Sequence, residues 1–270
     1  MTPLGFRNPQ VQRLRRLLAE PRARRAAQAF VVEGAKLVAD ALGAGAPVEA
    51  VYVAAGWEAP LTEVAQAQGV PVIALAPGVV ERVASTVAPQ PVLAVIGAVD
   101  VELAALAGAT LVVVCVDVRD PGNLGTVLRS ALAAGASGAV CCARSADAYS
   151  PKCVRASAGA VLHLPTVCGG AVTEVLEVLG AWGMTRLGTR ATGGKPYDSV
   201  DLQRPTALVL GNEGHGLPPA VQDALDEVVT IPMAPPSESL NVGAAAAVLC
   251  FEAARQRRTA GWPARGSSHD

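Results

Sequence analysis

The sequence predicts an α/β protein with two domains, each containing a sheet covered by helices. Three observations lead to this fold class. Apolar segments of strand length alternate with segments of helical periodicity along most of the chain. The segment Leu111–Val118 is apolar and Val-rich, as is typical of a parallel strand buried on both faces. A polar and then Ala-rich stretch over Asp100–Gly108 interrupts the alternation, which indicates a linker at residues 99–108.

The N-terminal domain is expected over residues 1–98. Apolar residues at helical spacing, short apolar runs and glycine stop signals define its elements. These are a helix at Asn8–Leu18, an apolar piece at Phe30–Gly34, a helix at Glu33–Leu42, a strand at Val48–Val53, a helix at Leu61–Gln68, a strand at Val70–Leu75, a helix at Pro77–Ser85 and a strand at Val92–Val99.

The C-terminal domain is expected over residues 109–260, followed by a Gly/Ser-rich and disordered tail at 261–270. The same signals predict a mostly parallel, open sheet. Its strands are Leu111–Val118, Gly138–Cys142, Val161–Val167, Gly183–Thr189, Leu208–Leu210 and Val228–Ile231. Its helices are Leu124–Ala134, Pro151–Ala158, Val172–Leu179, Pro218–Leu225 and Asn241–Arg257.

Composition narrows the class of protein. Hydrophobic residues make up 51% of the 270 residues and aromatic residues only 3%, so Val, Leu and Ala must form the core. The six cysteines form no Cys-x-x-Cys pair, and no histidine lies at zinc-ligand spacing, so we expect reduced thiols and no metal. No signal-peptide pattern and no apolar run of membrane-spanning length is found, so we expect a cytoplasmic protein without membrane association.

Charge is distributed unevenly. The formal net charge is −1, yet the first thirty residues contain seven arginines and one acid, Glu20. Such a basic segment is typical of contact with a polyanion such as RNA, and a solvated helix face is the alternative. The candidate RNA-binding residues are Arg13, Arg15, Arg16, Arg22, Arg24 and Arg25, together with Lys152 and Arg155 at the start of a later helix.

Two Gly-rich segments in the C-terminal half are candidates for the chemistry. Asp120–Arg129 is a Pro-Gly turn and a helix start, with Asn123 at the expected N-cap. Thr206–Pro218 is an apolar strand that runs into glycines around one carboxylate, Glu213. A carboxylate among glycines has little use in packing. The glycine spacing is not that of a dinucleotide-binding loop.

A third segment, Ile231–Val248, is a Pro-rich loop that leads into an Ala-rich helix. Ser237, Ser239 and Asn241 are candidate caps for that helix. A loop fixed by proline against a helix N-terminus suits a ligand held largely by backbone groups.

In order and content, these three segments resemble the signature motifs of the SpoU (TrmH-like) family of S-adenosyl-L-methionine-dependent RNA ribose 2′-O-methyltransferases, in the SPOUT superfamily. The resemblance covers Leu111–Arg257, including Asp147–Pro165 between the first two motifs. Phe30–Gly34 and the helix after it more loosely resemble the family's substrate-binding domain, which is similar to a ribosomal-protein α/β/α fold.

The resemblance implies a C-terminal domain with a deep trefoil knot, S-adenosyl-L-methionine as cofactor, no metal, and a homodimer formed through the catalytic domain. It also implies backbone contacts to the cofactor. The cofactor residues would be Gly211, Ile231 and Leu240, with Leu210, Met233 and Asn241 beside them. The active-site residues would be Asn123, Arg129, Glu213, Ser239 and Asn241. Gly243 departs from the family, which usually has Ser at that position.

Methyl transfer from a sulfonium depends mainly on aligning the ribose oxygen with the methyl group. The family proposal makes Arg129 the base for the ribose hydroxyl. Because arginine stays protonated in nearly all proteins, Arg129 is also a candidate to bind the 3′ phosphate and stabilise oxyanion charge. The separate N-terminal domain favours 23S ribosomal RNA as substrate. The alternatives are a tRNA methyltransferase and a non-catalytic RNA-binding protein of the same fold, although the intact Asn123, Arg129, Glu213 and Asn241 disfavour the latter.

Overall fold

A computed structural model describes residues 2–84 and 88–261. The chain forms two compact units, one of Met1–Val99 with Tyr149–His163 and one of Asp100–Ala148 with Leu164–Asp270. The strands are β1 (Ala29–Glu33), β2 (Val48–Ala54), β3 (Val72–Leu75), β4 (Val92–Gly97), β5 (Leu111–Cys115), β6 (Gly138–Cys141), β7 (Thr166–Cys168), β8 (Thr185–Thr189), β9 (Lys195–Pro196), β10 (Thr206–Leu210) and β11 (Glu227–Thr230). The helices are α1 (Pro9–Ala19), α2 (Pro21–Ala27), α3 (Ala35–Gly43), α4 (Pro60–Ala67), α5 (Val79–Val83), α6 (Pro121–Ala133), α7 (Pro151–Ser157), α8 (Ala160–His163), α9 (Val172–Ala181), α10 (Pro219–Gln222) and α11 (Val242–Thr259).

The first unit is a four-stranded sheet between two helical layers. Its strand order is β1-β4-β2-β3, with β2 and β3 parallel and the other pairs antiparallel. Successive residues of β1 point to opposite faces, so Val31 joins the core under α1 and α5 while Phe30 and Val32 join the core under α3 and α4. Both faces are apolar, which explains the α/β/α layers.

The segment Tyr149–His163 contributes helices α7 and α8 to this first unit. Val154 and Val161 pack in the core that contains Phe30, and the Tyr149 ring stacks on Phe30 with ring centroids 4.5 Å apart. The Tyr149 hydroxyl accepts a hydrogen bond from the Val99 backbone N–H at 2.9 Å. The compact units therefore divide the chain differently from the predicted domains, which assigned this segment to residues 109–260.

The second unit contains a seven-stranded sheet in the order β7-β6-β5-β10-β8-β11-β9. All of its strand pairs among the described residues are parallel, as the Val-rich β5 predicted. The side chains of α9 and α10 join strands β5, β6 and β10 in one core, as Leu176 and Val221 show. Helices α6 and α11 pack against each other. None of the helices in the two described ranges is long and apolar enough to cross a membrane.

The structure corrects two predicted elements. The predicted strand Val161–Val167 is wrong in its first half, where residues 160–163 form α8 and only Thr166–Cys168 are strand. Pro165 explains the break, because the residue before a proline avoids helical geometry. Asn123 is not the N-cap of α6, since the Asp120 side chain accepts the Asn123 N–H at 2.9 Å. The end of the predicted helix at Ser85 and all of the predicted tail except Gly261 lie outside the described residues.

Candidate active site

Because Asp120 caps α6, the Asn123 side chain is available for other contacts. Asn123 lies in the first turn of the helix, and its Nδ2 donates to Glu213 Oε1 at 2.7 Å. Asn241 Nδ2 donates to Asn123 Oδ1 at 2.8 Å. The Asn241 Oδ1 atom accepts the N–H of Gly243 at 2.9 Å, so Asn241, one of the three candidate caps, is the N-cap of α11. One hydrogen-bonded chain thus connects the three motifs.

Asn212 fixes the loop that carries Glu213. Its Nδ2 donates to the Asp117 carbonyl at 2.9 Å, after strand β5. Its Oδ1 accepts the N–H groups of Gly214 at 2.9 Å and His215 at 3.2 Å. Asn212 is not among the predicted site residues, although an Asn at the start of a Gly-rich turn commonly forms this side-chain turn.

A cavity of about 450 Å³ lies beside this chain of hydrogen bonds. Two loops line it, residues 211–217 after β10 and residues 231–240 before α11. A Cβ at Gly211 would lie 2.6 Å from the Gly216 carbonyl carbon, so no other residue fits there without moving the loop. Apolar side chains form much of the wall, among them Leu217, Leu225, Val229, Ile231, Met233, Leu240 and Leu249.

The polar lining of the cavity carries charge of both signs. Glu213, Glu238 and His215 line it together with Arg190. Arg190 Nη2 donates to Gln222 Oε1, and Gln222 Nε2 donates to the Leu217 carbonyl at 2.7 Å. Gln222 thus connects the Arg190 guanidinium to the Gly-rich loop, while the carboxylates of Glu213 and Glu238 line the cavity.

The predicted cofactor and active-site residues are only partly brought together. Gly211, Ile231, Met233, Leu240, Glu213 and Ser239 line the cavity. Asn123 and Asn241 reach it through their hydrogen bonds to Glu213 and to each other. Leu210 is buried inside β10, at 1% exposure, and directly precedes Gly211, which lines the cavity. Arg129 is exposed on α6 and has no hydrogen-bond or ion-pair partner among the residues that the structure describes.

Gly243 is explained by the packing of α6 against α11. A Cβ at Gly243 would lie 2.9 Å from Thr126 Cγ2, 3.0 Å from Thr126 Cβ and 3.1 Å from Asn241 Oδ1. The serine that the family usually has would not fit against Thr126 without a shift. The glycine therefore serves close helix packing next to the N-cap of α11.

Most of the predicted RNA-binding residues are exposed, with one clear exception. Arg24 is 4% exposed, and its Nη1 donates to the carbonyls of Leu17 at 2.7 Å and Leu18 at 3.3 Å. The prediction that Arg24 contacts RNA is wrong, because the guanidinium is buried on the carbonyls that end α1. Arg13 forms a bidentate pair with Glu49, at 2.6 and 3.1 Å.

The remaining candidates lie at the surface of the first unit. Arg15 and an arginine that the sequence analysis did not select, Arg82, both lie over the ring of Phe6, at 5.8 and 4.0 Å. The other exposed candidates are Arg16, Arg22, Arg25, Lys152 and Arg155. All of them belong to the first unit, including the two on α7.

A charged cluster that no motif predicted lies in the second unit, after two of its strands. Asp117, Arg119 and Arg144 follow strands β5 and β6. Arg119 donates from Nε and Nη2 to the two carboxylate oxygens of Asp117, both at 3.0 Å. The Arg119 guanidinium is the main cause that holds the pKa of Asp117 below its usual range. Arg119 directly precedes the segment Asp120–Arg129, whereas Arg144 follows a different strand, so no single sequence pattern contains the whole cluster.

Comparison with known proteins agrees with this architecture. Residues 110–251 match the SpoU rRNA methylase family, and residues 8–94 match the MRM3-like substrate binding domain. An uncharacterized tRNA/rRNA methyltransferase of Synechocystis sp. is 34% identical over 259 residues, which cover 95% of this chain and 94% of that protein.

Two solved structures are similar over both units. The SpoU methyltransferase AviRb from Streptomyces viridochromogenes, solved in complex with AdoMet, has a TM-score of 0.87 and 31% identity over 94% of this chain and 99% of its own. A structure described as an RNA 2′-O ribose methyltransferase has a TM-score of 0.79 and 31% identity over 95% of this chain and 100% of its own. The predicted family and α/β fold are confirmed: the chain belongs to the SpoU family of RNA methyltransferases.

Proposed function

We propose that this protein methylates the 2′-oxygen of a ribose in ribosomal RNA with S-adenosyl-L-methionine as methyl donor. The observation that carries the proposal is the chain Glu213–Asn123–Asn241, with hydrogen bonds of 2.7 and 2.8 Å, beside a Gly-lined cavity. These residues come from three separate segments and meet at one point. The family membership supports the reaction type.

The residues at the cavity fit S-adenosyl-L-methionine. The apolar wall that includes Leu217, Ile231 and Leu249 suits an adenine ring. Backbone groups of Gly211, Ile231 and Leu240 would hold the nucleoside, and Glu213 and Glu238 supply negative charge near a cationic ligand. When bound, this cofactor supplies a methyl group that its sulfonium has already activated.

The chain's own residues position the nucleophile. Asn123 uses its amide N–H on Glu213 and its amide oxygen on Asn241, so both ends of the side chain are fixed. Glu213 keeps a second carboxylate oxygen that can accept the ribose hydroxyl, and Ser239 adds a hydroxyl on the same cavity. Such fixed polar groups lower the barrier mainly by orientation.

Arg129 is the candidate for substrate contact in the catalytic unit. Its side chain is exposed on α6, the helix that also carries Asn123. An exposed guanidinium suits a phosphate with its planar fork of donors. We propose that Arg129 binds the phosphate beside the target ribose and stabilises negative charge on the attacking oxygen.

Ribosomal RNA is the proposed substrate because the first unit matches a substrate binding domain and the second matches a family named for rRNA methylation. The exposed arginines of the first unit, with Arg15 and Arg82 both over the Phe6 ring, give it a surface suited to an RNA backbone. The protein is proposed to act in the cytoplasm.

The homodimer and the trefoil knot belong to the same proposal. Both loops that would form the knot, residues 211–217 and 231–240, line one cavity. Phe251, 47% exposed on α11, and Leu240, 39% exposed, are large apolar side chains that a second copy would cover.

One experiment tests the proposed reaction. The full-length protein is incubated with methyl-labelled S-adenosyl-L-methionine and unmodified transcripts of 23S rRNA or tRNA, and 2′-O-methylated positions are mapped. We expect label only in the 23S transcript with wild type, and none with Asn123→Ala. Calorimetry with the cofactor and a chelator, without RNA, provides the binding control. Label in tRNA alone would overturn the substrate, and absence of cofactor binding would overturn the enzyme.

A further inference from the structure

Two arginines outside the family motifs share one carboxylate at the edge of the catalytic unit. The side chains of Arg119 and Arg144 are 59% and 74% exposed, whereas that of Asp117 is 18% exposed. Arg119 holds both Asp117 oxygens, and Arg144 Nε lies 3.7 Å from Asp117 Oδ1. The single carboxylate of Asp117 therefore lies between two guanidinium groups, and the three side chains together carry a net charge of about +1.

The backbone under Arg144 is fixed by contacts on both sides. The N–H groups of Ala143 and Ser145 donate to the carbonyls of Gly170 and Cys142, at 3.0 and 3.1 Å. Ser145 Oγ donates to the Cys115 carbonyl at 3.1 Å, and the Ala146 N–H donates to the Val118 carbonyl at 2.8 Å. The guanidinium is thus presented from a preformed loop, which reduces the entropy lost on binding a ligand.

Strain in the backbone supports a role beyond packing. Asp117 and Arg144 have positive φ angles of 56° and 76°, which residues other than glycine adopt at a cost. The cluster is also connected to the active site. The Asp117 carbonyl accepts the Asn212 side chain, and Asn212 orients the loop of Glu213.

We infer that Arg119 and Arg144 form a binding site for an RNA backbone phosphate, here called the rim site because the Asp117 carbonyl is hydrogen-bonded to Asn212 of the cavity lining. Arg144 Nε is 3.7 Å from the carboxylate, beyond hydrogen-bond distance, and Arg144 forms no side-chain hydrogen bond to another described residue, so its donors are available to a phosphate oxygen. Asp117 holds Arg119 in place and leaves the pair cationic. The inference rests on the proposed RNA substrate, and it assigns to the catalytic unit a phosphate contact separate from Arg129.

The chain supplies matched controls for a test. Arg255 is 58% exposed in a pair with Glu252, and Arg204 is 70% exposed in a pair with Asp201. Arg204 precedes β10, at the opposite ends of the strands from the cavity. Arg255 lies fourteen positions after Asn241 along α11, about 20 Å from the active-site end of the helix.

The experiment compares Arg119→Gln and Arg144→Gln with Arg255→Gln and Arg204→Gln in the full-length protein. Binding of a fluorescent 30-nucleotide RNA fragment of 23S sequence is measured by anisotropy between 50 and 300 mM KCl. We expect the slope of log K against log salt to fall by about one for each rim substitution. The control variants should keep the wild-type slope. S-adenosyl-L-methionine affinity should not change in any of the four.

Slopes for Arg119→Gln and Arg144→Gln equal to those of their controls would overturn the inference. A loss of cofactor affinity in the rim variants would overturn it as well, because the arginines would then act on the cavity. The salt slopes are measurable whether or not methyl transfer to 23S transcripts is seen. Failure of this site is therefore distinguishable from failure of the proposed function.

Discussion

At the scale of single residues, the structure separates two roles of helix α6. Asn123 is held at both ends of its amide, whereas Arg129 extends from the helix without a protein partner among the described residues. The fixed side chain of Asn123 can orient groups at the cavity, whereas the exposed guanidinium of Arg129 is suited to binding a phosphate of the substrate. This difference allows the role of Arg129 to be tested separately from cofactor binding.

Arg129→Ala should lower the rate of methyl transfer by about 10²–10³-fold, as the loss of one charge-stabilising donor does, while cofactor affinity stays within a few-fold of wild type. Arg129→Lys keeps the charge but loses the planar fork. If the residue binds phosphate as a point charge, Lys should retain activity. If the guanidinium geometry is needed, Lys should be as inactive as Ala. Single-turnover rates against pH give the measurement, and full activity of Arg129→Ala would show that the proposed role is wrong.

At the scale of elements, the contact between α6 and α11 is limited by Gly243. Gly243→Ala gains about 0.5–1 kcal/mol of helix propensity but places a Cβ 2.9 Å from Thr126 Cγ2. Overpacking of this kind costs about 1–3 kcal/mol, so we expect net destabilisation in urea unfolding. Thr126→Ala should relieve part of the loss, with a coupling of about 1 kcal/mol. Additive effects of the two substitutions would contradict the packing explanation.

The pairing of β8 with β11 is stabilised by a charged contact with a defined pH dependence. Arg186 donates from Nε and Nη2 to Asp226, at 2.9 and 2.7 Å, and its N–H donates to the same carboxylate at 2.7 Å. The Arg186 side chain is the main cause that lowers the pKa of Asp226 below its usual 3.8. Because the pKa of Asp226 is lower in the folded than in the unfolded protein, the ionised carboxylate stabilises the fold at pH values above its pKa in the unfolded chain. This stabilisation is lost as the pH falls through the pKa of the folded state.

Asp226→Asn should therefore lower the free energy of unfolding at pH 7, and this loss should become progressively smaller below pH 3.8. The loss at pH 7 should be about 1 kcal/mol or less, since the carboxylate is 40% exposed. Urea unfolding of wild type and variant at several pH values gives the measurement. Asp201→Asn, in an i, i+3 surface pair with Arg204, is the control for an exposed carboxylate. A stability difference that does not depend on pH would contradict this explanation.

The sequence predicted most elements because their local signals agree with their packing. The Val-rich β5 is completely buried, and Asn241 caps α11. Residues 161–163 were predicted as strand because a short apolar run does not distinguish strand from helix. Val161 is buried in the core of the first unit, and this packing favours the helix. Pro121 at the first helical position was the local signal that the cap is Asp120.

The motifs identified the candidate site, but not its connections. Asn123 and Glu213 are 90 residues apart, and their contact follows from the neighbouring parallel strands β5 and β10. Periodicity carries no information about such a long-range pair. Arg24 shows the reverse case. The Arg-rich composition of its segment suggested a surface cation, and only the fold shows that its guanidinium donates to helix carbonyls.

At the scale of the whole molecule, the chain enters the first unit twice. Val154, Val161 and Tyr149 complete the core around Phe30. A fragment of residues 1–99 should therefore expose this apolar face, bind a hydrophobic dye and unfold without a sharp transition. Joining residues 149–163 to the same fragment through a flexible linker should restore cooperative unfolding. Identical urea transitions of the two fragments would show that the segment is not needed for this core.

Because two separate stretches of the chain form the first unit, relatives of the protein cannot exchange this unit as one continuous segment. A single crossover near residue 99 would transplant the four-stranded sheet but leave behind the helices of residues 149–163 that cover one of its faces. A hybrid would then pair a foreign sheet with Val154 and Val161 shaped for the original one. If the first unit binds RNA as proposed, recombination that changes substrate choice must move two distant stretches of the gene together, and substitutions at Phe30 and Tyr149, whose rings stack, should be inherited as a pair.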